Sequence, residues 1–514
     1  MNKPVKSVIV VGGGTAGWIT AGRIAAKHRC SSESAVQVTL IESPNINIIG
    51  VGEGTWPTMR NTLMKLGISE TDFMRACDAT FKQGAKFARW VDGSRDDFYY
   101  HPLMLPQGFG RVDLCSYWQA QQGRESFSNA VCFQEQVCER GLAPKLITTP
   151  EFGSVANYAY HLDAGKFARF LQNHCVNQLG VRHILDDVVG VQKAKNGDIE
   201  SLKTAHHGDL SGDLFVDCTG FRSRLLGDEM DVPLVDRSDV LFIDTAIAVQ
   251  VPYEQADDPI ASHTISTGQE AGWIWDIGLT RRRGVGYVYS SKHTSEENAQ
   301  DTLAQYVGPA IEQLDVRKIP IRSGHRQLFW KNNCVAVGLS AGFLEPLEAS
   351  ALVLVELSAE MLAEQLPATR GVMDICAQRF NDTFQYRWDR IIDFLKLHYI
   401  LSKRTDNDFW NDNRDPTSIP DSLQALMSLW QYRSPGDQDF TSNNEVFPAA
   451  SYQYVLYGMG FKTETAAYAH TLIEQELARE QFGKNRMATE RALAGLPRHR
   501  DLINKIHEYG FAAV

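Results

Sequence analysis

The first residues whose types and spacing could do chemistry are three glycines. Gly12, Gly14 and Gly17 form G-x-G-x-x-G in "VIVVGGGTAGW", directly after an apolar β run and at the start of a helix-forming stretch. Such glycines permit a tight turn, close approach of backbone amides to a pyrophosphate and close helix–strand packing. The helix N-terminus, entered through Thr15 and Ala16, stabilises the phosphate charge. Glu42 stands twenty-five residues after Gly17, at the end of the next apolar run, where a carboxylate can accept hydrogen bonds from ribose hydroxyls. The pattern reads as a dinucleotide site. Its bland competitor is a glycine-rich turn in an unliganded α/β fold.

A second chemical stretch is "GFLEPLEASALVLVE" (342–356). Pro346 reads as a helix start, with Glu348, Ala349, Ser350 and Ala351 in the first turn. Free N–H groups there form an anion site that suits a reduced flavin or a small inorganic anion. The bland reading is a glutamate complementing the helix dipole. A third stretch, "GWIWDIGLTRRRGVGYVYS" (272–290), sets Trp273 and Trp275 one residue apart in a strand-like run, so both rings share a face. Core packing is the ordinary explanation for such a pair.

The elements that must position these residues read as one interleaved α/β fold. "SVIVV", "ITAGRIAAKH" and "VQVTLIES" form strand, helix and strand. Short β runs fill roughly 190–350, and the chain from about 347 onward is mostly helical. Residues 1–350 are expected to form the cofactor-binding, β-rich core and 351–514 a mostly helical substrate-binding part. The 514 residues are 43% apolar with a formal net charge of −11, and the basic residues are scattered. That composition gives no footprint for nucleic acid or an anionic membrane. Nine cysteines lie far apart without a C-x-x-C, so no metal or dithiol site is expected. No signal peptide is expected before the first strand, and "ASALVLVELSAEMLAEQL" reads as a buried helix rather than a span. The expected location is cytoplasmic.

FAD is favoured over NAD. "DLFVDCTGFRS" (213–223) and "CVAVGLSAGFLEPLE" (334–348) each run from a strand into small residues, as in two-domain FAD oxidoreductases of the flavoprotein-monooxygenase type. A second glycine fingerprint for a nicotinamide is missing, because "GVGYVYS" lies within a β run. Electrons would then arrive from a separate protein.

Over nearly its whole length the sequence resembles the flavin-dependent tryptophan halogenases. The landmarks are "GGGTAGW", "GVGEGTWP", "FKQGAKF", "YHPL", "GWIWDIGL", "GVGYVYS", "LEPLEAS" and "DFLKLHYILSKRTDNDFW". Trp273, Trp275 and Ile277 match the family's W-x-W-x-I-P signature, with Gly278 in place of proline, a departure expected to loosen the turn after the strand. The resemblance implies that reduced FAD and O2 oxidise chloride or bromide to hypohalous acid, which travels inside the protein to an aromatic substrate. It also implies a separate NAD(P)H-dependent flavin reductase and, by resemblance alone, a homodimer. Lys82 matches the lysine that receives the hypohalous acid; Lys86 shares a helical face with it at i+4 but does not match. Glu348 matches the second functional residue. The resemblance assigns halide to Ser350 and Ala351, and cofactor contacts to Gly50, Val51, Gly52, Val188, Leu339 and Leu352. The two tryptophans become a steric wall between substrate and flavin.

Two departures bear on specificity. The family's Glu-Ser-Thr-Gly reads Glu-Ala-Ser-Ala here, and Ala351 in place of glycine points to an altered halide preference, toward bromide. Tryptophan-specific members hold the amino acid with tyrosines and a glutamate. "FPAASYQYVLYGMGF" (447–461) offers Tyr452, Tyr454 and Tyr457 but no acid before Lys462, leaving a substrate ammonium unpaired. Indole, a substituted indole or a larger indole-bearing molecule is at least as well supported as free tryptophan, with His101 lining the pocket. The alternatives are a flavin-dependent aromatic monooxygenase and an FAD-binding protein without halogenation.

Overall fold

The computed structural model describes residues 3–28, 36–46, 52–121, 125–442, 445–464 and 472–512. The chain is mixed α/β, and the helical C-terminal part begins with Ser350–Glu364.

The dinucleotide expectation maps onto a six-stranded sheet. Its order is Trp330–Lys331, Cys334–Ala336, Leu214–Asp217, Ser7–Val11, Gln37–Glu42 and Arg182–Leu185. All neighbours are parallel except the first pair. Val8, Ile9, Val10 and Val11 are all buried, as a parallel strand covered on both faces requires. The helix Thr15–His28 follows at once and packs on Ser350–Glu364, so the C-terminal helices are interleaved with the N-terminal sheet.

A seven-stranded sheet carries the tryptophan signature. It runs Arg317–Pro320, Thr245–Pro252, Arg282–Tyr289, Gly272–Gly278, Thr264–Gln269, Gly84–Ala88 and Phe98–Pro102. Val249, Ile274, Val285 and Tyr287 pack on one face, beneath the helix Glu296–Val307, while Trp273, Trp275 and Ile277 enter the main core on the other. The following glycines now have a reason. A Cβ on Gly286 would lie 2.1 Å from the Trp275 ring, and one on Gly284 would lie 3.3 Å from the Gly52 Cα. The strand therefore continues through Gly278, and Leu279 N donates to Arg282 O at 2.9 Å. Gly278 does not loosen the turn; the hairpin closes immediately after it.

A small antiparallel sheet joins the two remaining landmarks. Ala159–Asp163 is its central strand, with Gly52–Gly54 on one edge and Thr80–Lys82 on the other. The helical reading around Lys82 is thereby corrected. Lys82 ends one strand, and Lys86 lies in another, Gly84–Ala88, where it pairs with Glu139 at 2.6 Å. The run "TFKQGAKFA" alternates with period two, and Gly84 approaches the His101 carbonyl so closely that a Cβ would sit 2.8 Å from it. Among the described residues no helix is long and apolar enough to cross a membrane.

Candidate active site

The first half of the site lies at the C-terminal ends of the parallel strands, where open α/β sheets receive ligands. Gly12 has φ +116°, and a Cβ there would lie 2.2 Å from the Cys218 carbonyl oxygen; one on Gly17 would lie 1.9 Å from the Gly12 oxygen. Gly14, by contrast, faces open space with nothing within 4 Å. The turn is closed wherever it meets protein and open toward the ligand, which fits a bound pyrophosphate. Ala16 meets Gly338 (φ +75°), where a Cβ would lie 2.7 Å from the Ala16 Cβ. That contact brings Leu339, half-buried in the turn Gly338–Ser340, to the same edge. Ser340 Oγ donates to the Asp217 carbonyl at 2.6 Å, tying a third strand end in. Glu42 folds over Gly13 and meets His183 Nε2 at 2.7 Å. Burial raises the Glu42 carboxyl, against the opposing pull of His183. Gly52 starts the small sheet beside Gly284, and Val188 is half-buried at the start of Val188–Lys193. Gly50 and Val51 lie outside the described residues.

The second half gathers Lys82, His101 and Glu348. Both catalytic candidates are almost fully buried, Lys82 at 2% exposure and Glu348 at 6%. Lys82 Nζ donates to the Thr55 carbonyl at 3.3 Å. Burial pushes its ammonium down to about 8, while the Glu348 charge acts in the opposite sense. Glu348 Oε1 lies 2.7 Å from His101 Nδ1, and His101 Nε2 lies 2.9 Å from Ser451 Oγ. Burial alone would raise the Glu348 carboxyl, but His101 first, with the Lys82 ammonium, holds it below the usual carboxylate range. It is therefore an anion facing an ammonium, with water largely excluded.

The expected helix start at Pro346 is one turn too early. Leu347–Ala349 is a 3₁₀ turn with Glu348 at φ +62° and Ala349 at φ +53°, and the α-helix begins at Ser350. Two successive left-handed residues cannot continue a right-handed helix. Glu348 precedes the helix, so its side chain turns toward His101 rather than along the helix flank. Ser350 and Ala351 do occupy the first turn, no side chain caps it, and Leu352 is buried just beyond.

The aromatic expectations divide. Tyr454 lies with its ring centroid 6.1 Å from that of His101 and donates its hydroxyl to Met104 O. Tyr452 packs on Phe394, Trp430 and Phe440, and Tyr457 hydrogen-bonds Ser434 and Thr463. Neither is brought into contact with Glu348 or Lys82. Trp273 packs against Trp90 with centroids 6.3 Å apart, and Trp275 covers Gly286.

Several site residues escaped the sequence reading. Trp56 donates its indole N–H to the Glu348 carbonyl at 2.8 Å, and Lys82 Nζ lies 5.8 Å from its ring centroid. His398 sets Nε2 3.5 Å from Glu348 Oε1 and Nδ1 2.6 Å from the Tyr99 hydroxyl. Burial pushes the His398 imidazole down to about 3, so it is neutral. Trp56 sits in the quoted "GVGEGTWP". His398 was signalled by "FLKLHYI", where Lys396 and His398 are polar residues in an otherwise apolar helical run.

Comparison with known proteins identifies the family. The family model for tryptophan halogenase matches residues 7–474. The 7-chloro-L-tryptophan 6-halogenase KtzR of Kutzneria sp. (strain 744) is 34% identical over 97% of this chain and 99% of its own length. The crystal structure of a tryptophan halogenase from Shewanella frigidimarina superposes with a TM-score of 0.97 at 49% identity, covering 100% of this chain and 99% of that one. BrvH, a flavin-dependent halogenase from Brevundimonas sp. BAL3, superposes at 0.86 with 32% identity, over 98% of this chain and 99% of its own. With a family model that matches residues 7–474 and relatives that match over nearly the whole chain, this chain belongs to the tryptophan halogenase family of flavin-dependent enzymes.

Proposed function

We propose that this halogenase uses Lys82 and Glu348 as its catalytic pair to halogenate the ring of an indole or another electron-rich aromatic compound. The observation that carries the reading is the burial of an ammonium and a carboxylate around Trp56, each altering the other's proton affinity. FADH2, recycled by a separate flavin reductase, would supply with O2 the oxidising power that converts halide to hypohalous acid.

The chain's own residues then account for the ring chemistry. The Lys82 ammonium donates to the oxygen of hypohalous acid and polarises the oxygen–halogen bond. The aromatic π pair attacks the halogen and the oxygen–halogen bond breaks. The leaving hydroxide takes the Lys82 proton and departs as water. Glu348 stabilises the cationic ring and removes its proton. Glu348 then returns that proton to Lys82, and a lysine with a pKa near 8 exchanges it readily. Ser350 and Ala351 present amides for the halide on the cofactor side. In this reading residues 1–350 hold the cofactor, residues 351–514 close the substrate side, and Trp273 with Trp275 blocks the route between.

The substrate reading favours an indole without a free ammonium. No acid lies between Tyr452 and Lys462 to pair with one, and the hydroxyls of Tyr454 and Tyr457 are already engaged. Ala351 supports bromide over chloride.

The test is incubation with FAD, an unrelated flavin reductase, NADH and a panel of indoles including tryptophan, with chloride and bromide run separately. Products are read by mass spectrometry beside a Lys82→Ala control. One regioisomer, lost in the control, supports the reading. Oxygenated product formed without halide would indicate a monooxygenase, and the absence of any turnover across the panel would count against halogenation of indoles.

A further inference from the structure

We infer that Trp56 is a positioning residue that locks the backbone of Glu348 and thereby fixes its distance from Lys82. The inference rests on the assignment of Lys82 and Glu348 as the catalytic pair.

Residues Gly54, Thr55 and Trp56 touch both partners in succession. Gly54 leaves a gap one carbon wide: a Cβ there would lie 3.5 Å from Lys82 Nζ and 3.4 Å from Ala349 Cβ. The Thr55 carbonyl accepts from Lys82 Nζ at 3.3 Å, and the Trp56 indole N–H donates to the Glu348 carbonyl at 2.8 Å. The segment is itself anchored. Thr55 N donates to Tyr160 O at 2.8 Å, and Tyr160 N donates to Thr55 Oγ1 at 2.9 Å. Three residues therefore link the Lys82 ammonium and the Glu348 main chain to one fixed point.

The lock falls where the backbone needs it. Glu348 and Ala349 both have positive φ, which disfavours side-chain-bearing residues and persists only where surrounding contacts impose it. The Trp56 bond holds the carbonyl of the first of these residues. Its ring also packs 5.2 Å from Phe447 and 5.8 Å from His101, centroid to centroid, so the donor cannot swing away. Without the N–H, a buried carbonyl loses its partner and the turn gains access to other conformations. The carboxylate would then be correctly charged but incorrectly placed.

The test replaces Trp56 with β-(3-benzothienyl)alanine, which keeps the bicyclic shape and removes only the N–H, alongside Trp56→Phe. Both are assayed with FADH2, halide and the indole turned over by the unaltered enzyme, with Lys82→Ala in parallel. For the isostere, kcat is expected to fall about tenfold with KM changed by less than about twofold, as loss of one positioned hydrogen bond implies. Hypohalous acid captured by an external trap should rise, and the melting temperature should stay unchanged. The phenylalanine variant should show the same split. Wild-type kcat in the isostere, with Lys82→Ala inactive, would overturn the inference and leave the catalytic assignment standing. A kcat loss that tracks a fall in melting temperature would make Trp56 a packing residue and also overturn it. Selective product from Lys82→Ala would remove the assignment itself, and the inference with it.

Discussion

His101 Nδ1 donates to Glu348 Oε1 at 2.7 Å. The direction follows from charge: Glu348 is held ionised, so the proton in this contact belongs to the imidazole. His101 Nε2 in turn lies 2.9 Å from Ser451 Oγ, so both ring nitrogens are engaged and the ring is held in place. The carboxylate is thus oriented by a side chain whose ring also packs near Phe394 and Tyr454.

Replacing His101 with phenylalanine should move the acid limb of the kcat profile to higher pH. Burial raises the Glu348 carboxyl, and His101 provides the largest opposing influence. Removing it lets the carboxyl rise, so the ionised form is lost at a higher pH. A kcat–pH profile with an unmoved acid limb would show that Glu348 does not titrate in the rate-limiting step.

The alkaline limb should report Lys82. Its ammonium titrates near 8, so kcat should fall about tenfold per pH unit above that value if the charged form is required. The Glu348 charge opposes the effect of burial on Lys82. Glu348→Gln should therefore shift the same limb below 8 in whatever activity remains.

Gly12→Ala should abolish tight FAD binding and also lower the stability of the fold. The added carbon would meet the Cys218 carbonyl at 2.2 Å in a φ +116° conformation, and relief requires the turn to open at the pyrophosphate side. Quenching of FAD fluorescence should show at least about a hundredfold weaker binding, on the scale of a few kcal/mol of strain. Gly14→Ala, in open space within the protein, should weaken FAD through direct contact with the ligand instead.

Gly286→Val should destabilise the chain by about 1–3 kcal/mol, the usual cost of overpacking. The Trp275 ring already occupies the position of the first added carbon. Urea unfolding followed by tryptophan fluorescence would measure it. The double variant with Trp275→Leu should recover part of the loss, because the space under conflict is then shared.

The strand–helix–strand unit that carries Gly12, Gly14, Gly17 and Glu42 was legible in the sequence because its requirements are local, and the fold forms it over Ser7–Val11, Thr15–His28 and Gln37–Glu42. The chemistry of Lys82 and Glu348 was visible only through family resemblance, since 266 positions separate them in the chain. Local patterns misled at both. The spacing of Lys82 and Lys86 suits a helix, but pairing with Ala159–Asp163 and with Phe98–Pro102 makes both segments strands. Pro346 suits a helix start, but the positive φ of Glu348 and Ala349 is imposed by long-range contacts, including the Trp56 hydrogen bond. Tyr452 and Tyr457 have the right type for a pocket, yet their hydroxyls and rings are committed to neighbours distant in sequence.

The small sheet gives the site a form of common-mode rejection. Its central strand, Ala159–Asp163, carries Gly52–Gly54 on one edge and Thr80–Lys82 on the other. Both edges are referenced to that one backbone, so a distortion of Ala159–Asp163 is passed to the Thr55 carbonyl and to Lys82 together and acts on their separation only through its difference.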